Sequence, residues 1–408
     1  MFYHCRRISA LHGEPLQRRL FLKGTGAVTV LLVGGVAFRA YERGVFSVGE
    51  GPAFEPWKDW QQTKDSPLAL VSAAILAASP HNTQPWLFKL ADPLIDLYLD
   101  PKRYPGPLDP YLREEHIGMG CALENLMLAA PANGYAASAT LLPGKLTLAA
   151  DYSDPEVVAR VALVPGARQR SELYDAIPQR HTNRNPYALR SLPADFIDEV
   201  QRSANDEADV KVFLFTADEE RNAIVELIVK ANDTVYADPQ IDKGSEAWVR
   251  YDWKDVQRLR DGLIMDESGQ PPLTIAMVKL ATPSLRRFAF RHKLLRTTSY
   301  KEVLQATPLF GLIAVRDRYE REQSLLAGRI WQRIHLLTTA RGLAGRPVNE
   351  AVEWIDHQRW LNQEPQAEAI LSELIGNTTW QPTFMFRLGY PVRQVSPSPR
   401  RPVNDVLL

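Results

Sequence analysis

Cysteine is nearly absent from this chain: Cys5 and Cys121 are the only two among 408 residues. Cys5 lies in an N-terminal extension and Cys121 in an apolar stretch, so no structural disulfide forms between them if the extension is removed or stands apart. Cys121 reads as a small buried apolar residue. Net charge is missing too, because 48 Lys plus Arg balance 48 Asp plus Glu. No field exists to gather a polyanion, and nucleic acid is not an expected partner. The eight histidines are scattered, with no pair at i, i+4 and none beside a cysteine pair, so no metal site is expected. A GxxxxGK phosphate loop and a GxSxG nucleophile elbow are also absent. No long hydrophobic run occurs: the uncharged segment 24–38 is 15 residues, short of the roughly 20 that span a bilayer.

What is present starts with an address. Residues 17–23 read QRRLFLK, with Arg18 and Arg19 followed by Phe21 and Leu22, ahead of a Gly-rich, moderately apolar segment. This resembles a twin-arginine signal, which implies export of an already folded, cofactor-loaded chain to the periplasm or to the outer side of the cytoplasmic membrane. No clean small-x-small cleavage site follows, so cleavage and retention as an anchor both stay open. Residues 1–45 are read as this signal or anchor.

The body has 45% hydrophobic and 24% charged residues, close to soluble globular averages. Ser66-Pro67 opens a helix with Leu68, Val71 and Ile75 on one face. Trp86, Phe88 and Leu90, then Ile95, Leu97 and Leu99 across an Asp92-Pro93 turn, alternate as two neighbouring strands. From Ile117 to Ala130 apolar residues run nearly all round a helix, which predicts a central helix buried on most sides. GCALENLMLAAPANG (120–134) laid over GRIWQRIHLLTTARG (328–342) matches Gly120 with Gly328 and Gly134 with Gly342 without a gap. A duplicated unit and a coincidence between two buried helices both fit. PLFGLIAV (308–315) is a continuous apolar run, as a doubly buried strand requires. Residues 231–300 hold Tyr236, Trp248, Tyr251 and Trp253 among many charges, then DESGQPP and a basic run. This stretch reads as a helical insertion, either lying over something or a surface excursion. The tail SPSPRRP (396–402) is expected to wrap rather than pack.

Two strings carry chemistry. ASPHNTQPWLF (78–88) sets Ser79, His81, Asn82, Thr83 and Gln84 between a helix end and a strand anchored by Trp86. RHTNRNPY (180–187) sets Arg180, Thr182 and Arg184 at alternate positions, after a helix that Ser171 can cap. Arginine forks and a hydroxyl at this spacing suit a phosphate; the same string also occurs as a surface salt-bridge cluster.

SPHNTQPW resembles the Pro-x-x-Asn-x-Gln-Pro-Trp signature of the nitroreductase family, and RHTNR resembles its Arg-x-Ser-x-Arg phosphate string. The resemblance implies an α+β nitroreductase-like fold holding FMN. In the family the arginine string precedes Gln-Pro-Trp, whereas here the order is reversed. That reversal implies an internally duplicated pseudo-dimer, a monomer with one complete site and one FMN per chain, similar to the Acg-like branch. The halves are expected at 46–170 and 171–408, the second carrying a helical lid at about 231–300. On this resemblance Arg180, Thr182 and Arg184 hold the phosphate with Arg400 and Arg401 from the tail. Ser79, Pro80, His81, Asn82 and Gln84 reach the flavin ring from one half, and Pro347, Val348 and Asn349 from the other. His81 departs from the small polar residues usual at its position. The flavin carries the reaction, so no catalytic side chain is expected. The expected activity is FMN-dependent reduction of a small-molecule acceptor, with NAD(P)H one candidate donor. FMN storage without turnover is the alternative.

Overall fold

In the computed structural model the described residues are 37–282, 285 and 297–408. The twin-arginine string and the basic run 286–296 lie outside the described residues. Two antiparallel sheets flank a pair of long helices. In the first sheet β1 (Trp86–Ala91) and β2 (Leu94–Leu99) form the expected hairpin, in register from Trp86 opposite Leu99 to Ala91 opposite Leu94. Strands β3 (Tyr135–Leu141) and β4 (Glu156–Pro165) complete it in the order β1-β2-β4-β3. The second sheet runs through β5 (Val210–Phe215), β6 (Leu309–Val315), β7 (Ala344–Pro347) and β8 (Gln381–Pro391), with the two-residue strand Tyr187–Ala188 also paired to the end of β8. Its order is β5-β6-β8-β7, the same permutation. Strand β6 is buried at every position, as its apolar run predicts.

The helix Arg113–Ala132 precedes β3 and the helix Arg321–Ala340 precedes β7. Both helices have 20 residues and are offset by 208 at either end (113 to 321, 132 to 340). They cross where Gly120 meets Gly328. A Cβ on Gly120 would stand 2.1 Å from the Leu325 carbonyl oxygen, and one on Gly328 would stand 2.0 Å from that of Ile117. Since 117 and 325 are again offset by 208, the contact is self-complementary, as in a two-fold dimer. Each helix is followed by a glycine in the left-handed region, Gly134 at φ +83° and Gly342 at φ +67°. The fold is therefore α+β and duplicated, with the interface of its two halves inside one chain. Polar groups fix the register: Gln332 donates to Asn125 at 2.8 Å, and Arg329 and Arg333 both reach Glu124.

The halves differ most between their first two strands. Asp92-Pro93 joins β1 to β2, but residues 216–308 separate β5 from β6. The departure thus starts well before residue 231, with the helix Asp218–Val235. Its buried Ile224, Val225, Leu227 and Ile228 pack in the same core cluster as Trp354 and Ile355, and so read as ordinary body helix. Among its described residues the remaining regular elements are helices and one two-residue parallel pair, Val249–Arg250 against Leu263–Ile264. Ser66 departs from its expected capping role: its hydroxyl donates to the Thr63 carbonyl, while Ser171 does cap, accepting from the Tyr174 amide at 3.2 Å. The tail wraps as expected. It leaves β8, crosses to the other half and covers the free edge of β1, with Phe88 N donating to Val406 O at 2.7 Å and Leu408 N donating to Phe88 O at 2.9 Å.

Candidate functional site

A helix end, a strained turn and a strand start build one wall of the site. After the helix Pro67–Ala74, the segment Ser79–Gln84 places His81, Asn82 and Gln84 at φ +45°, +55° and +52°. Three non-glycine residues in the left-handed region each cost of order 1–3 kcal/mol, and such strain persists only where surroundings over-determine it. They do so here. Asn82 donates through Nδ2 to Gly262 O at 3.1 Å and Pro399 O at 3.0 Å, and its Oδ1 accepts from Arg400 at 2.6 Å. One amide thereby ties the loop, the insertion and the tail together. Gln84 donates to Arg260 O at 2.9 Å and accepts from the Arg401 amide at 2.8 Å. His81 Nε2 shares a hydrogen bond with Ser245 Oγ at 2.8 Å.

This turn lines a cavity of about 210 Å³. Ten of the thirteen residues expected at the site line it: Ser79, Pro80, His81 and Asn82 from one half, and Arg180, Thr182, Arg184, Pro347, Asn349 and Arg400 from the other. Three do not. Gln84 and Arg401 are spent on each other and on backbone, Arg401 also donating to Gln84 O at 3.1 Å. Val348 is fully buried in the core, its amide bonded to Met385 O at 2.8 Å. Trp86 is core, as read from its strand. The insertion is not a detached excursion: Tyr236, Leu263 and Glu267 from it line the same cavity.

The cavity is electrically split. Arg180 and Arg400 are both 2% exposed, and what they meet is mostly backbone carbonyl. Arg180 donates to Leu76 O at 3.1 Å, Arg400 to Ala77 O at 3.0 Å and to Pro399 O at 2.9 Å, and the Nε of each has no partner. Burial pushes Arg180 down to about 10; burial and the charge of Arg180 push Arg400 down to about 9. Arg184 lies 3.4 Å from Glu267, whose own carboxyl is raised by burial against the pull of Arg184. Two fully buried guanidiniums facing one carboxylate make a site short of negative charge, the condition under which an anion binds.

The opposite end is acidic. Glu114, Glu350 and Glu353 line it, and Glu350 and Glu353 each keep one carboxyl oxygen without a partner. Burial pushes Glu114 up to about 8, and burial with the neighbouring Glu114 and Glu350 raises Glu353 well above its ordinary range. Glu114 is thereby held largely as a neutral acid at pH 7, able to donate, and Glu353 is pushed in the same direction. Sequence reading missed this end. The one trace was the pair Glu350 and Glu353, one helical turn apart beside the Pro347–Asn349 segment.

No family model matches the chain. Among curated proteins it is similar to "Putative NAD(P)H nitroreductase acg" of Mycobacterium tuberculosis strain H37Rv, 34% identical over 134 residues, 32% of this chain and 38% of that protein. A second protein of that strain, also named as an NAD(P)H nitroreductase of putative function, is 28% identical over 126 residues, 30% of this chain and 35% of that one. The chain thus spans less than two fifths of the length of these relatives. Among solved structures, the FMN-dependent nitroreductase NfnB of Mycobacterium smegmatis in complex with NADPH is 13% identical. It covers 58% of this chain and 91% of that one at a TM-score of 0.32. The NADPH:FMN oxidoreductase of Vibrio harveyi complexed with NAD+ is 11% identical and covers 57% and 75%, at 0.33.

Proposed function

We propose, from the premise that the chain is related to nitroreductases, Acg among them, that it is an FMN-dependent oxidoreductase holding one flavin in the cavity between its halves. The observation that carries this reading is the pair of buried, anion-deficient arginines, Arg180 and Arg400, brought from segments 220 residues apart to the Asn82 turn. The residues present fit a flavin phosphate. Arg180, Arg184 and Arg400 offer guanidinium donors, and Thr182 adds a hydroxyl beside them. When bound, the flavin supplies hydride acceptance and donation. The chain's own part is to bind, orient and exclude water. The cations anchor one end, the strained Ser79–Asn82 turn and the Pro347–Asn349 segment form the walls, and Tyr236 and Leu263 close the insertion side. Glu114 and Glu353 hold protons at the far end, where a reduced acceptor needs one. The electron donor is NAD(P)H or another small carrier, and the acceptor is a small molecule.

We further propose export in folded form by the twin-arginine route, supported by the Arg18-Arg19-Leu20-Phe21-Leu22 string. Folded export suits a chain that must take up its flavin before crossing the membrane. An absorbance spectrum of the purified full chain tests the cofactor: bands characteristic of oxidised flavin are expected, and their absence refutes the reading. Anaerobic mixing with NADH and NADPH then tests turnover. Bleaching on a catalytic timescale is expected; a flavin that neither donor bleaches excludes NAD(P)H as the electron source and favours storage, the reading that the insertion's place in the cavity wall supports.

A further inference from the structure

The helix Pro272–Leu280 lies on the outside of the insertion, yet it carries a single charged residue, Lys279, and that residue points inward. Lys279 is 5% exposed. It pairs with Asp266 at 2.7 Å, donates to Gly44 O at 2.9 Å and lies 5.5 Å over the Trp253 ring. Everything the helix turns outward is uncharged. Leu273 and Met277, one turn apart, are 72% and 56% exposed, where a solvent-facing helix ordinarily carries charge. The segment it holds through Gly44 behaves alike. In the helical turn at 37–42, Phe38 and Tyr41 are 65% and 69% exposed and share a face, and Phe46 beyond Gly44 is 70% exposed. The other exposed large apolar residues, such as Leu90, Leu148 and Leu189, are scattered through the chain, as is normal for a soluble surface.

Two neighbouring elements joined at Lys279 therefore both expose apolar and aromatic side chains. The chain that enters this place is uncharged from Gly24 to Phe38. Among the described residues no helix is long and apolar enough to cross a membrane. A short apolar face with an inward-turned lysine, rimmed by Arg39 and Glu42, is built to lie on a bilayer rather than to span it. Tyrosine favours the headgroup level, with one end apolar and the other wet, and phenylalanine belongs on the apolar face of helices that lie in that interface.

We propose that the 37–46 segment and the helix Pro272–Leu280 dock the protein on a lipid bilayer, with Phe38, Tyr41, Leu273 and Met277 entering the boundary between headgroups and acyl chains. This does not depend on the flavin reading. Docking would reach the cavity, because Asp266, which holds Lys279 from the inside, is the neighbour of Glu267 in the cavity wall.

The test is flotation of the full chain with vesicles of phosphatidylcholine, with and without anionic phosphatidylglycerol. Wild type is compared with Leu273→Ser/Met277→Ser and with Phe38→Ser/Tyr41→Ser/Leu273→Ser/Met277→Ser. All four positions are exposed, and near-ultraviolet circular dichroism checks that the variants fold. Loss of each pair is expected to lower the partition coefficient on the order of tenfold. Unchanged partition of the Leu273/Met277 variant overturns the proposal, because an anchor in residues 1–36 alone gives that result. A change in sedimentation with no change in flotation overturns it as well, since the face then joins two copies of the chain.

Discussion

Asn82 has a three-way role that no single local rule foretells: it sits in a left-handed turn, donates to the insertion and the tail, and accepts from Arg400. Asn82→Ala removes those bonds from a buried position. The expected result is faster amide exchange at 260–264 and 396–402 while the central helices stay protected, read by hydrogen exchange. The proposed role of the arginines is toward the ligand instead. Arg180→Ala/Arg184→Ala removes two charge-assisted donors from the cavity and is expected to weaken FMN binding about a hundredfold or more, measured by fluorescence titration; retention of flavin through purification would refute the phosphate assignment. Glu114 gives a pH prediction. Its carboxyl is 5% exposed and pushed up to about 8, so above that pH the native state must hold a buried charge that the unfolded chain holds in water. Stability from this group is full below about 4.5 and is lost as pH rises through 8. Glu114→Gln should therefore raise the melting temperature at pH 9 and leave it little changed near pH 4.5, followed by thermal melts across that range.

At the scale of elements, the crossing of the two central helices leaves no room for a methyl group. Gly120→Ala and Gly328→Ala each drive a Cβ to about 2 Å from a carbonyl oxygen of the facing helix. Each is expected to cost about 1–3 kcal/mol, and the two costs should be similar because the contact repeats across the pseudo-two-fold axis. Chemical denaturation of both variants checks this, and a large difference between them would argue against the symmetry. A buried ionic cluster sits where the first of these helices begins: Arg113, its first residue, and Arg318, just ahead of the second helix, both bond Asp356, at 2.7 and 2.9 Å. Burial alone would raise the Asp356 carboxyl, but these two cations outweigh it and hold the group below its ordinary range.

For the whole molecule, duplication without symmetry of the site has a countable consequence. Arg180 and Arg184 come from the segment before β5, whereas the corresponding segment before β1 has Ser79–Asn82 in its place. One FMN per chain is therefore expected. Flavin absorbance against protein concentration measures this, and a ratio near two would contradict it. The insertion and the tail make the asymmetry stable, since each crosses from one half to bond the other at Gly262, Pro399 and Val406.

Much was legible in the residues themselves, because the signals are local. Alternation specified the β1–β2 hairpin, an apolar run specified β6, and paired glycines 208 apart marked two helices whose ends then matched. The strings at 79–84 and 180–184 supplied seven of the residues lining the cavity and two of its four arginines, because turn residues and guanidinium spacing leave their mark in consecutive residues; Arg346, which also lines it, stands in no such string. Gln84, Val348 and Arg401 stand in those strings or their counterparts yet face away, and nothing in sequence decides which side of a turn faces inward. Glu114, Glu267 and Glu353 belong to three separate segments, and an acid becomes part of a site only when packing strips its water and sets it beside another charge. The sequence by itself determined the elements and the residue types able to hold a phosphate. Tertiary structure alone decided which of them meet, because burial and charge pairing are properties of neighbours in space.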